Sequence, residues 1–313
     1  MPLAAKRKQE KVATPIVEAP APEPLQEEEA PKPKVTALIF SYDNAPGLRR
    51  CLTALENSKD REKIEILVVD CGSHDESPGM DSEFSNITIL RLPRYFGRTK
   101  ALNIGTRTAA ADLLLLLTTE VEVMPTTVPA LLAKLEEDSE AVAVCPLLMD
   151  TESRTVDQFY RLPTPQTGAD LIPAGVDKTA ETAVVEYANF RAFMVRKYFV
   201  RGINYLDERY GDFGADAELC FQIRRASRKT LVLPHVTALF TAAPAEYSSS
   251  AQTLLAADRL HGVAVYFGKH YGFMSGLMFR IKAILSSLFS LRLPLFGALI
   301  SGAKIDGSQS AIL

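Results

Sequence analysis

The chain has 313 residues, 47% of them hydrophobic, which is enough for one large α/β domain or two small ones with a buried core. Lys and Arg (35) nearly balance Asp and Glu (38), leaving a formal net charge of −3, so no global field points to nucleic acid. Four cysteines, Cys51, Cys71, Cys145 and Cys220, stand far apart with no CxxC pair and no histidine at ligand spacing, which speaks for reduced thiols in a cytosolic protein.

The first 34 residues hold seven of the nineteen prolines, an acidic run at Glu27 to Glu29 and several lysines. Such an arm cannot bury enough apolar surface to offset the entropy of ordering it, and we expect disorder there. It has no apolar stretch long enough for a signal peptide, which predicts a body that stays in the cytosol. A globular domain is expected over residues 35–250. Strand-like runs at 35–40, 64–69, 113–117 and 141–145 alternate with helical spacing at 44–55, 99–108 and 127–137, the pattern of a mostly parallel sheet with helices on both faces. Asn44 and Pro46 start the first helix, and Leu48, Cys51, Leu52 and Leu55 recur on one side of it. Between 147 and 182 the pattern dissolves into Pro, Thr, Asp and Gly; a connection that long in a compact domain is usually functional or disordered. Residues 183–196 read as one strand, 214–226 as a helix and 230–233 as a short strand ended by Pro234. The last region, 251–313, carries Leu277, Met278, Ile281, Leu285, Leu288 and Phe289 with Arg280, Lys282 and Arg292 between them. Its uncharged runs are too short to span a bilayer, but amphipathic helices of this kind lie in a membrane interface or pack on the domain or a partner.

Every early strand ends in polar residues, and open α/β sheets bind ligands at the carboxyl ends of their strands. Ser41 and Tyr42 follow the first strand, and an aromatic face there can stack on a base. Asp70 closes the second beside the Gly72-Ser73 turn, where a carboxylate can accept from a base or ribose. Arg98, Lys100 and Asn103 surround the start of a helix, whose dipole favours an anion. The fourth strand ends in an acidic step, Thr118-Thr119-Glu120-Val121-Glu122.

In order and spacing these motifs resemble the family 2 glycosyltransferases, inverting enzymes of rhamnosyltransferase-like kind, over about residues 35–272. The resemblance implies a GT-A fold, three α/β/α layers around a mostly parallel sheet with C-terminal amphipathic helices added. It implies a nucleotide-sugar donor of UDP or dTDP type contacted by Ser41, Tyr42, Asp70, Gly72, Arg98, Lys100 and Asn103. A glycan or lipid-linked acceptor and cell-envelope polysaccharide synthesis follow from the same likeness, and the apolar, basic tail adds the expectation of a peripheral place on the cytoplasmic face of the membrane. The family binds Mg²⁺ or Mn²⁺ through an acidic DxD-type motif, whose position is degenerate here: Thr118 stands at the first acid, Glu120 is the candidate ligand, and Glu122 is the weaker one. Asp216 matches the family's general base, with Asp212 or Glu218 as fallbacks, yet Ala215 replaces the neighbouring Glu and Phe240 a metal-contacting His. Those departures leave a second reading open, a GT-A-like module that binds nucleotide-sugar or a partner without turnover. A dinucleotide oxidoreductase is disfavoured, since no GxGxxG follows the first strand.

Overall fold

The structure is a computed structural model that describes residues 32–242 and 248–307. The arm expected to be disordered, 1–34, lies outside them apart from its last three residues. The chain runs β1 (Val35–Ser41), α1 (Ala45–Glu56), β2 (Ile64–Asp70), β3 (Ile87–Arg91), α2 (Arg98–Thr108), β4 (Leu113–Thr118), β5 (Val121–Val123), α3 (Thr127–Glu137), β6 (Ala141–Met149), β7 (Phe159–Tyr160), β8 (Ala183–Val184), β9 (Tyr187–Ala188), β10 (Ala192–Arg196), α4 (Lys197–Gly202), α5 (Ala215–Arg225), β11 (Lys229–Phe240), α6 (Ser249–His270), α7 (Phe273–Phe289) and α8 (Leu293–Ser301).

The large sheet has the order β3-β2-β1-β4-β10-β6-β11-β5, with β8 added on β11. Its first four strands are parallel, and β10 runs antiparallel to both β4 and β6. Buried on both faces, the central strands need no polar alternation, which is why β1 and β4 read as continuous apolar runs. Period-2 alternation still sorts their side chains: Leu38 and Phe40 join a core shared with α2, α5 and α6, while Ala37 and Ile39 join one shared with α1 and α3. The Asn44 side chain caps α1 by accepting from Gly47 N–H, as Asn before Pro46 predicts.

Two strand expectations change. Residues 183–196 form three pieces, β8, β9 and β10, because Asn189 Oδ1 accepts from Arg191 N–H and turns the chain between the last two. β11 does not stop at Pro234 but continues to Phe240. The proline falls where pairing with β6 shifts register, between Leu233 and Thr237, so its missing N–H breaks no ladder bond.

α6 is part of the domain. Leu254, Tyr266 and Phe267 are buried in the same core as α2 and α5. α7 crosses α6 at two glycines: a Cβ on Gly276 would come within 2.9 Å of Gly268 Cα, so only glycine admits this approach. The opposite side of α7 is bare, with Phe273, Met274, Met278 and Phe289 all more than half exposed. After α8 the chain turns back into the domain, and Ile305 is buried against Gly97.

Candidate active site

The loops at the carboxyl ends of β1, β2 and β4 are stitched to one another. Asp43 N–H donates to Ser73 Oγ (3.0 Å), and Asn44 Nδ2 donates to Thr119 Oγ1 (2.8 Å). Asp70 is almost fully buried; its carboxylate accepts from Ser73 Oγ (2.5 Å) and Ser73 N–H (3.1 Å). Burial raises its pKa, partly offset by those bonds. Gly72 makes the turn at φ +76°, where a Cβ would meet the Arg94 backbone at 2.7 Å. Tyr42 is half-buried and packs edge-on to Tyr95 (4.5 Å between centroids). Ser41 Oγ and Thr118 Oγ1, on the adjacent strand ends, are buried without a hydrogen-bond partner among the described residues. A buried polar atom without a partner costs about 1–3 kcal/mol, so these two mark where a polar ligand would be welcome.

Arg98 opens α2 and stacks its guanidinium over Phe40 (5.2 Å), with Nε buried and without a hydrogen-bond partner among the described residues. Burial works against its charge, but Asp212, Tyr95, Glu120 and Asp216 outweigh that and raise its pKa. Asp212 is held twice, by Arg98 N–H (2.7 Å) and Tyr95 Oη–H (2.6 Å). The other two residues of this predicted trio point elsewhere. Lys100 Nζ rests on the Phe96 ring (4.5 Å). Asn103 is buried and its amide is fully used, donating to Leu206 O (2.8 Å) and Glu208 (3.0 Å) and accepting from Leu206 N–H (3.0 Å), a clamp between α2 and the segment before α5.

Glu120 sits in the turn between β4 and β5 and makes no ion pair among the described residues. Glu122 is drawn off to Arg50 (3.0 Å). No group of three or more His, Cys, Asp or Glu able to hold a metal exists among the described residues. A hard cation that arrives on a diphosphate needs only one or two carboxylates and completes its shell with phosphate oxygens and water, so Glu120 fits that mode of binding and not an all-protein cage.

Asp216 lies in the first turn of α5. Its Oδ1 accepts from Ala217 N–H (2.8 Å), and Tyr187, on β9, donates a hydrogen bond to it. Burial raises its pKa, against the pull of those bonds and of Arg98, which suits a carboxylate that must take a proton. It lines a cavity of about 200 Å³ together with Arg98, Asp212, Arg191 and Arg259. The fallback bases are spoken for: Asp212 by Tyr95 and Arg98, and Glu218 by His270, Lys269, Gln222 and Tyr210. Phe240 carries the Arg191 guanidinium on its ring (4.6 Å). Sequence reasoning missed Tyr95, Tyr187, Arg191, Arg259 and Asp258. The last, buried on α6, accepts from Asp212 N–H (2.9 Å) and Ile305 N–H (3.0 Å), so the helical layer supports the site loop.

The chain matches the family model for glycosyl transferase family 2 over residues 36–199, and it belongs to that family: it is a glycosyltransferase. Its fold is similar to that of GalNAc-T7 solved with UDP, GalNAc and Mn²⁺ (16% identity, TM-score 0.59, covering 75% of this chain and 47% of that one). It is similar also to the mannosyltransferase PcManGT from Pyrobaculum calidifontis with GDP-Man and Mn²⁺ (15%, TM-score 0.52, 87% and 86%), and to S. aureus TarS 1-349 with UDP-GlcNAc (16%, TM-score 0.55, 86% and 81%). The chain thus spans about half the length of the GalNAc-T7 chain, and the likeness to all three is one of fold. The GT-A architecture expected from the sequence is the one observed. Two of these relatives hold Mn²⁺, in agreement with the divalent metal the family implies.

Proposed function

We propose that this protein transfers a sugar, with inversion, from a UDP- or dTDP-linked donor to a hydroxyl of a glycan or lipid-linked acceptor in cell-envelope polysaccharide synthesis. The observation that carries this reading is Asp216, a partly buried carboxylate of raised pKa on a cavity that it shares with the Arg98 guanidinium. In the reaction, Asp216 takes the proton of the acceptor hydroxyl while that oxygen bonds to the anomeric carbon. The bond to the nucleoside diphosphate breaks on the opposite face, and the leaving group departs with the electron pair. Ser41, Tyr42, Asp70 and Gly72 form the base and ribose side, with Asp70 acting through the turn it holds. Arg98 faces the diphosphate, and Lys100 and Asn103 shape α2 behind it. A divalent ion on Glu120 would add positive charge for the leaving diphosphate.

The bare face of α7, with Arg280 and Lys282 on the same helix, supports a peripheral position on the cytoplasmic face of a membrane. No helix among the described residues is long and apolar enough to cross one. A non-catalytic module is the second reading, favoured by Ala215 and by Phe240, whose ring is already occupied by Arg191. Turnover across a panel of UDP- and dTDP-sugars, with and without Mn²⁺, tests between the two. Release of UDP or dTDP from at least one donor is expected; binding without turnover on every donor supports the second.

A further inference from the structure

Residues 259–305 contain six Lys and Arg, at positions 259, 269, 280, 282, 292 and 304, and no Asp or Glu, in a chain whose net charge is −3. The fold gathers part of that charge into one groove. Beside the crossing of Gly268 and Gly276, α6 and α7 leave a space of about 330 Å³ whose lining contains no acid. Phe273, Leu277 and Arg280 line it from α7, at the spacing that puts them on one side of a helix, and His261 lines it from α6. The two ends differ. At one, Asp207 pairs with Arg209 (2.6 Å) and with Lys269 (3.1 Å), and Glu218 also holds Lys269 (2.7 Å), so these cations are already neutralised. At the other, Arg280 spends one of its five donors on Leu299 O (3.4 Å) and forms no ion pair among the described residues. Burial lowers the pKa of half-buried His261, and the charges acting on it, Arg280 and Lys304, lower it further. Asp258, one turn earlier on α6, is taken up by the N–H groups of Asp212 and Ile305. Cationic groups thus converge here without a counter-charge, and an anion between them would relieve the repulsion.

The groove opens onto apolar surface. Phe273 is 75% exposed at its rim, and Met274, Met278 and Ile281 carry the bare stripe on along α7. A soluble anion gains only from the charged end. A second copy of the chain, set face to face across a two-fold axis, would oppose the same cations to one another. A phospholipid of net negative charge matches both parts, with a phosphate for the cations and acyl chains for the stripe. We infer that this groove is a binding site for the head group of an anionic phospholipid, its phosphate held between Arg280 and His261 and its acyl chains lying along Phe273 and the bare face of α7. This rests on the peripheral-membrane reading above and adds to a diffuse attraction one defined contact.

Two measurements on the full-length protein test this. The first is cosedimentation of the parent, Arg280→Gln and Lys282→Gln with phosphatidylcholine vesicles that contain phosphatidylglycerol. Each substitution removes one charge from α7, but Lys282 is exposed and, two residues on, projects from the far side of the helix. A diffuse attraction gives equal losses, about fivefold each. A head-group site adds the loss of a charge-assisted hydrogen bond at Arg280 alone, so Arg280→Gln is expected to lose about fiftyfold against fivefold for Lys282→Gln. The second measurement needs no substitution: the titration of His261, one of four histidines, is followed by NMR with dihexanoyl phosphatidylglycerol, dihexanoyl phosphatidylcholine or inorganic phosphate, the lipids below micelle formation. Phosphatidylglycerol is expected to raise the His261 pKa by about 1, and the other two to leave it in place. Equal losses in the two variants, a His261 titration indifferent to phosphatidylglycerol, or one moved as far by either of the other two would overturn the inference. If the parent ignores the vesicles altogether, the peripheral-membrane reading fails; if it binds them and Arg280→Gln behaves like Lys282→Gln, this inference fails alone.

Discussion

The donor side and the acceptor side of the cleft are made in different ways. The donor side is local: strand ends of β1, β2 and β4 whose loops hold one another through Asp43, Asn44, Asp70 and Ser73. The acceptor side is assembled over long distances, with Asp258 of α6 holding Asp212, Asp212 holding Tyr95 and the start of α2, and Ile305 closing the chain over them. The donor side joins residues up to 75 positions apart, all of them before residue 120, and can tolerate the loss of later elements. The acceptor side, built from residues up to 117 positions apart, cannot.

The largest test of that contrast removes α6 and all that follows. Leu254, Tyr266 and Phe267 leave the core, at roughly 1.5–3 kcal/mol for each large apolar side chain, and their sum approaches the 5–15 kcal/mol that holds a typical domain together. A chain ending at residue 248 should show no cooperative urea transition. If it unfolds cooperatively and still binds UDP, the helical layer is an appendage.

Next in size are opposite responses to pH. Burial raises Asp258 to about 6 from an ordinary 3.8, so the folded state holds its proton more tightly than the unfolded one. Stability from this group should rise by about 3 kcal/mol as pH falls from 7 through 6 toward 4. Burial also pushes Glu218 up, but hydrogen bonds from His270, Gln222 and Lys269 prevail and leave it at about 2, below its ordinary 4.5. Its stabilisation, again about 3 kcal/mol, is present above pH 4.5 and lost as pH falls through 2. Urea melts of Asp258→Asn should lose the gain between pH 7 and 4, and those of Glu218→Gln the loss below 4.5. Matching pH profiles in both variants and the parent would remove this account of the acceptor side.

On the donor side, Asp70→Ala should weaken nucleotide binding about tenfold by freeing the Ser73 turn, and should also lower the melt, since the charged hydrogen bonds it loses to Ser73 are worth about 1.5–3 kcal/mol. Unchanged affinity by calorimetry would take Asp70 out of the site. The smallest effect is expected at α7. Lys282→Gln should weaken binding to anionic vesicles by about fivefold, near 1 kcal/mol for one lysine at a charged surface, and leave neutral vesicles unaffected.

What was legible in the sequence follows the same division. β1, β2, β4, α1 and α3 were readable because their signals are local: unbroken apolar runs, the Asn44–Pro46 start, and Leu48, Cys51, Leu52 and Leu55 at helical spacing. Asp216 was named through the family resemblance, which matches Ala215-Asp216-Ala217-Glu218-Leu219 at the start of a helix. Tyr187 and Arg191 were hidden because one apparent strand, 183–196, is divided among three ladders. Asp258 had no signal at all, since an acid in an apolar helix reads as a solvated position until the backbone N–H groups of Asp212 and Ile305 are brought to it. Asn103 was misjudged in role by the same blindness: its partners are more than a hundred residues away.

The central claim is that Asp216 is the proton acceptor of a sugar transfer. Asp216→Asn is nearly isosteric, keeps the oxygen that accepts from Ala217 N–H, and removes the base. The most direct measurement pairs turnover with donor affinity in that one variant. We predict a fall in kcat of about 10² to 10⁴, with UDP binding within twofold of the parent and an unchanged melt. Full turnover in Asp216→Asn would contradict the claim.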